Sequence, residues 1–231
     1  MLAELTLSDG LARLTLNRPE ARNALSLELL EGLHTRLDEL DGRLVSARVL
    51  VVAGAGRAFC AGMDLKQVLG DHGAAPRLLR SLAELTLRLR ALPMPVIAAV
   101  SGAAIGGGCG LACACDFAVT HADAKLGFPE VDLGVCPAVV APWVVRRIGA
   151  GRARRLLLGG GLLSGRRAHE LGIVTDLVET QAELQGRVAE LVGRIMSGGP
   201  EALRATKRLL NELDGSLDAE LVRRGAELSA A

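Results

Sequence analysis

The chain is 231 residues long with a formal net charge of +1; half of its residues are hydrophobic, 2% are aromatic and none is tyrosine. That length suits one α/β domain with a substantial core, and the apolar content excludes a disordered chain. The near-neutral charge and the shortage of aromatic platforms argue against nucleic acid or an anionic membrane surface as a partner.

The first residues, Met1-Leu2-Ala3-Glu4-Leu5, lack the charged and apolar regions of a secretory signal, so a cytoplasmic location is expected. Leu5 and Leu7, the turn Ser8-Asp9-Gly10, and Leu14 and Leu16 alternating with Arg13 and Thr15 predict a hairpin. Ser26 is then placed to cap a helix whose Leu30, Leu33, Leu37 and Leu40 fall at helical spacing. The apolar run at 49–53 predicts a buried strand. Leu78, Leu82, Leu85, Leu89 and Leu92 form one stripe of an amphipathic helix, ended by Pro93 and Pro95. A second buried strand is predicted at 96–100, a helix from about Gly107 to Cys115, and a third strand at 117–119. Farther on, Ser164 caps a helix stopped by Gly172, 173–178 is extended, and two helices follow, the second starting at Pro200. The expected organisation is a β/α core over 1–160 and a helical C-terminal region over 161–231.

No charged residue lies between Arg90 and Asp116, a length that raises the question of a membrane span. Pro93, Pro95 and the glycines at 102, 106, 107, 108 and 110 point instead to strand, turn and helix inside a packed core. The five cysteines (Cys60, Cys109, Cys113, Cys115 and Cys136) are odd in number and lack zinc spacing. All are expected to be reduced and buried as small hydrophobes.

Two segments have the composition of a backbone anion site. In Ala58-Phe59-Cys60-Ala61-Gly62-Met63-Asp64-Leu65-Lys66, a glycine after a strand frees the turn that aims the Met63 amide. In 101–108, a strand feeds the glycine-rich N-terminus of a helix, whose unpaired amides favour negative charge. The run matches neither GxGxxG nor GxxxxGK[ST], so no nucleotide motif is met. Glycines at such a junction are, taken alone, close packing.

Together the segments resemble the enoyl-CoA hydratase/isomerase (crotonase) family, and the likeness covers nearly the whole chain. The matching pieces are Asn17-Arg18-Pro19 with Asn23-Ala24-Leu25; the segment 58–65; Gly102 with Gly106-Gly107-Gly108; Cys115-Asp116; Pro129-Glu130 with Leu133-Gly134; and Ser164 with Ala168 and Gly172-Ile173-Val174. The resemblance implies an α/β fold, a spiral of ββα units with a helical C-terminal region. It also implies trimeric association, often as a dimer of trimers, and an acyl-CoA substrate whose coenzyme A replaces any permanently bound cofactor; no metal is implied. The family's oxyanion hole falls on the backbone N–H groups of Met63 and Gly107. Its coenzyme A contacts fall near Ala21, Arg22, Ala61, Asp64, Leu65 and Lys66.

Of the two glutamates usual in the family's hydratases, one falls on Glu130 and is present; the other falls on Gly110 and is absent. A single glutamate leaves two chemistries open: hydration of a 2-enoyl-CoA, or Δ3,Δ2-isomerisation with the same group moving a proton from C2 to C4. The segments Pro129 to Ala138 and Pro142 to Gly149 are similar to bacterial methylglutaconyl-CoA-type hydratases that also have glycine at the first position, which favours hydration. For a carboxylated acyl group, Arg146 or Arg147 would be the candidate cation. A non-catalytic binding protein on the same fold is the reading from another class. His34, His121 and His169 read as surface or helix-face residues, and His72 lies in a loop that the resemblance puts near the acyl pocket. The family usually ends with a further helix against a neighbouring subunit; here the chain stops soon after Leu213-Asp214-Gly215.

Overall fold

The computed structural model describes residues 1–71 and 73–230; His72 and Ala231 lie outside them. In chain order the elements are β1 (Ala3–Ser8), β2 (Leu11–Leu16), α1 (Leu27–Asp41), β3 (Val49–Gly54), α2 (Leu65–Gly70), α3 (Ala74–Ala91), β4 (Val96–Val100), β5 (Ala103–Ile105) and α4 (Gly107–Ala114). There follow β6 (Phe117–His121), β7 (Lys125–Gly127), α5 (Ala141–Ile148), α6 (Ala150–Gly159), β8 (Leu162–Ser164), α7 (Gly165–Leu171), β9 (Asp176–Val178), α8 (Leu184–Met196), α9 (Pro200–Leu213) and α10 (Ala219–Ala230).

The hairpin forms as its pattern predicts, with Asp9 and Gly10 both at positive φ, the geometry that a two-residue turn between twisted strands requires. Ser26 accepts from the Leu29 N–H and so caps α1. The main sheet runs β1-β2-β3-β4-β6-β9, parallel from β2 onward. Alternation along β4 divides the core in two. Val96, Ala98 and Val100 face the leucines of α1 and α3, whereas Ile97 and Ala99 face Leu184, Val188 and Val192 of α8. Both faces are therefore covered, and every residue of β4 is buried, as an apolar strand of a parallel sheet demands.

A second, small sheet, β5-β7-β8, has strands of three residues each. Strands that short leave no readable period, and the sequence did not announce them. β8 and β9 lie beyond residue 160, yet they join the two sheets. The sheet-forming core thus runs to Val178 before the helices α8 to α10 begin.

The C-terminus differs from expectation as well. α10 follows Gly215 and packs on α3 of its own chain, with Val222 and Ala226 buried. No helix among the described residues is long and apolar enough to cross a membrane. The uncharged stretch after Arg90 divides into β4, β5 and α4.

A buried ionic cluster ties α9 to the sheet. Lys207, 6% exposed, donates to Asp116 Oδ2 at 2.8 Å and to the Met94 carbonyl at 2.9 Å. Asp116 also accepts from the Val96 N–H and from Arg90. Burial pushes the Lys207 ammonium pKa down, and Asp116 opposes that shift. Removing one partner of such a cluster strands the other in a dry site. Lys207→Met is expected to cost about 3 kcal/mol in denaturant titration. Arg208→Met, at a pair exposed on both sides, is expected to change stability by less than about 0.5 kcal/mol.

Candidate active site

Three loop segments cross above the carboxyl ends of β2, β3 and β4. Asn23, wholly buried and at φ 55°, accepts from the Arg18 N–H and donates to the carbonyls of Ala55 and Ala58. The Ala61 N–H donates to the Arg22 carbonyl at 3.0 Å. The Leu25 N–H donates to the Gly62 carbonyl, and the Asp64 N–H to the Leu25 carbonyl, which makes a one-residue parallel bridge between Leu25 and Met63. In a parallel bridge the bracketed residue turns its own N–H away from the partner strand. Met63 is that residue. Gly62, at φ 90°, is where only glycine fits: a Cβ would stand 2.8 Å from the Ile105 carbonyl oxygen.

The second amide comes from the glycine run. Phe59 and Cys60 donate to the Ala103 carbonyl, and Ile105 donates back to the Cys60 carbonyl, locking the two segments edge to edge. Gly106 donates to the Gly127 carbonyl, and α4 starts at Gly107. Being the first residue of the helix, Gly107 has no intrahelical acceptor for its N–H. Among the described residues neither the Met63 nor the Gly107 amide is hydrogen-bonded.

Both amides border a cavity of about 370 Å³ whose walls are mainly aliphatic, Leu25, Val68, Leu78, Leu82, Val139 and Val140 among them. Glu130 lies in it. Its backbone carbonyl accepts from Leu133 and Val135, and this short turn sends the side chain over Gly106, where a Cβ would lie 2.8 Å from Oε1. Oε2 is buried without a hydrogen-bond partner. Burial therefore pushes the Glu130 carboxyl pKa up, against a smaller lowering from its own backbone. The arrangement is two unpaired amide donors and one poised carboxylate around an apolar slot, suited to holding an anionic oxygen while a proton moves nearby.

The sequence matches the family described as enoyl-CoA hydratase/isomerase over residues 6–223. The chain belongs to the enoyl-CoA hydratase/isomerase family. It is 36% identical to the 2,3-dehydroadipyl-CoA hydratase of Escherichia coli, over 86% of this chain and 77% of that protein. It is 35% identical to the crotonyl-CoA hydratase of Syntrophomonas wolfei, over 88% of this chain and 79% of that protein. The solved structure of an enoyl-CoA hydratase from Bacillus anthracis superimposes with a TM-score of 0.86 at 32% identity, covering 98% of this chain and 90% of that one. The fold is thus the crotonase spiral, and the chain is an enzyme of this family.

The structure brings Met63, Gly107 and Glu130 together and spreads the other named residues around them. Ala21, Arg22 and Ala61 stand at the junction of the first two segments. Leu65 and Lys66 are exposed at the start of α2. The Asp64 carboxylate is taken up internally: it accepts from Arg18 at 2.6 Å and from the amides of Lys66 and Gln67, capping α2. Burial alone would raise its pKa, but Arg18 and these amides outweigh that and hold it below the usual carboxylate value.

Arg146 and Arg147 do not line this cavity. Arg147 caps the end of α4, donating to the carbonyls of Cys113, Cys115 and Asp116. Arg146 lies over the Trp143 ring and donates to the carbonyls of Asp214 and Gly215. Cys136 is exposed at the cavity edge rather than buried, because it follows the left-handed Gly134 in an open loop. The other four cysteines are buried, and burial pushes the Cys60 and Cys115 thiols up to about 12, far from nucleophilic thiolates. His121 is buried too: its Nε2 accepts from the Gly102 N–H at 3.1 Å, and burial lowers its pKa. His34 packs between α1 and α3, against the Ser81 carbonyl.

Sequence reasoning missed Val140. A Cβ on Gly110 would lie 2.7 Å from Val140 Cβ and closer still to Cγ1. Any side chain at 110, the family's second glutamate included, needs the volume that Val140 fills. Gly110→Ala is expected to destabilise by about 2 kcal/mol through this overlap. In Gly110→Ala/Val140→Ala the two losses should fall well short of additive. A thermal-melt double-mutant cycle with strictly additive losses would refute the contact.

Proposed function

We propose that the chain hydrates a 2-enoyl-CoA thioester, and reverses that reaction, through an enolate held by the Met63 and Gly107 amides, with Glu130 moving the protons. The observation that carries this reading is the partnerless, buried Oε2 of Glu130 in the same apolar cavity as two unpaired amides. The Glu130 carboxylate takes a proton from a water as its oxygen bonds to C3. The C2–C3 π electrons move toward the thioester, whose oxygen becomes anionic between the two N–H groups. The Glu130 carboxylic acid then returns its proton to C2, and the carbonyl re-forms. Fixed amides in a site that excludes bulk water stabilise that charge without reorganising, by roughly 3–4 kcal/mol per donor in comparable holes. Coenzyme A would lie across Ala21, Arg22, Ala61 and Leu65, with Lys66 as its cation, at the edge of the aliphatic slot that Ala61 and Leu65 help line.

A second reading has its own support. Glu130 is the one carboxylate among the described residues of the cavity, and a single carboxylate can take a proton from C2 of a 3-enoyl-CoA and return it at C4. An assay offering 2-enoyl-CoA and 3-enoyl-CoA separately distinguishes the two. Loss of 2-enoyl absorbance supports hydration; formation of 2-enoyl product without its further loss supports isomerisation. Trimeric assembly fits the exposed Leu209 and Leu213 of α9, Leu217 of the turn after it and Leu221 of α10, and sedimentation velocity tests it.

Glu130→Gln is expected to lower kcat/KM by about 10³-fold. In the parent, activity should rise with pH along an acid limb above the usual carboxylate range, because only ionised Glu130 accepts a proton and burial raises its pKa. That raised pKa has a stability sign. Below the ordinary carboxylate pKa the group is neutral whether the chain is folded or unfolded, and as pH rises through the raised pKa the folded state alone bears the cost of ionising it. Glu130→Gln should therefore be at least as stable as the parent at neutral pH. Unaltered kcat/KM in this variant would remove Glu130 from the chemistry.

A further inference from the structure

The apolar contact between α4 and Val140, the residue ahead of α5, borders the cavity. Gly107 and Gly110 lie three residues apart and so share a face of α4. Gly110 stands about 4.5 Å farther along the axis than the amide that faces the thioester oxygen. Val140 is seated against it: a Cβ on Gly110 would lie 2.7 Å from Val140 Cβ, and Val140 itself is 2% exposed and borders the cavity.

Its backbone is held as well. The Val140 N–H donates to the Pro137 carbonyl, and its carbonyl accepts from Trp143 and Val144 at the start of α5. A β-branched side chain on a fixed backbone keeps one rotamer, so the wall it makes is stiff. Glu130 is placed over Gly106, and the oxyanion position lies at Gly107. Acyl carbons C2 and C3 bound between them would lie beside the next turn of α4, where Val140 is seated on Gly110.

We propose that Val140, through its seat on Gly110, is a specificity-determining residue that limits the bulk carried at C3 of the acyl group. The proposal rests on the thioester geometry of the preceding section. A methyl branch at C3 competes for the volume that the Val140 methyls fill, so the parent handles a C3 branch less well than a chain with a smaller residue at 140 would. Gly110 gives the device its depth: with no side chain on α4, the valine sinks into the helix groove, and its truncation opens space toward α4.

The test compares kcat/KM for two 2-enoyl-CoA thioesters of equal chain length, one unbranched and one with a 3-methyl group. The parent, Val140→Ala, Val140→Ile and Val144→Ala are measured side by side. Val144 is buried on the same helix but does not border the cavity, so its truncation reports general loosening. The ratio of branched to unbranched kcat/KM is expected to rise about tenfold in Val140→Ala, the scale of one methyl group in an apolar pocket. It should fall in Val140→Ile and stay at the parent value in Val144→Ala. An unchanged ratio in Val140→Ala, or an equal rise in Val144→Ala, overturns the proposal. A parent that consumes neither 2-enoyl nor 3-enoyl thioesters overturns the reading beneath it, and with it the proposal; that failure shows in the parent rather than in the ratio.

Discussion

The site depends on one close approach of backbone to backbone. Residues 59–60 and 103–105 exchange hydrogen bonds edge to edge, and Leu25 bridges Met63 from the other side. Three chain segments separated by up to eighty residues are thereby fixed within one layer, and the two unpaired amides are what this pairing leaves over. An amide that must be unpaired in the folded state cannot be specified by a side chain. It is specified by what its neighbours pair with. Gly62 is part of the same constraint, since a Cβ there would meet the Ile105 carbonyl oxygen and part the two segments.

The packing behind the site follows from that requirement. β4 must be straight, apolar and covered on both faces to deliver residues 101–107 at a fixed height, and α3 and α8 cover it. α4 must point its N-terminus at the cavity. Arg147 holds its last carbonyls, and the Asp116–Lys207–Arg90 cluster anchors the turn after it. These buried charges lie at the far end of α4 from the amide that matters. Their contacts fix the placement of the helix and of the turn that follows it.

The sequence reveals these parts unevenly, for physical reasons. Hairpin, cap, leucine stripe and buried strands are legible because each is a local pattern with its own period: Ser26 ahead of the α1 leucines, or the apolar run of β3. β5, β7 and β8 are not, because three residues carry no period and are stabilised only by one another. α10 went unread although it is amphipathic, because its contact, α3, is distant in sequence. The Met63 turn and the glycine-rich start of α4 were legible by composition as backbone anion sites, but their pairing with each other and with Glu130 was legible only by resemblance, because local composition does not show which segments meet. Arg146 and Arg147 were plausible as free cations until their acceptors, the carbonyls at the end of α4 and at the α9–α10 turn, were located. Val140 had no signal at all, since a valine after a proline-containing loop reads as ordinary core.

The apolar character of the slot and the weakness of its permanent charges belong together. Two amide dipoles and one carboxyl whose pKa burial raises cost less to enclose than a resident cation would. The cavity can then stay aliphatic and still respond strongly when charge appears, because a low local dielectric magnifies the attraction between an amide and a transient oxyanion. A second carboxylate at position 110 would add an acid but would also bring a second charge to desolvate, within a helix turn of the first. Val140 occupies that space with methyl groups instead. The chain thus meets the packing demand of α4 against α5 and the electrostatic demand of the site with the same residue pair, and the proton transfers are left to Glu130.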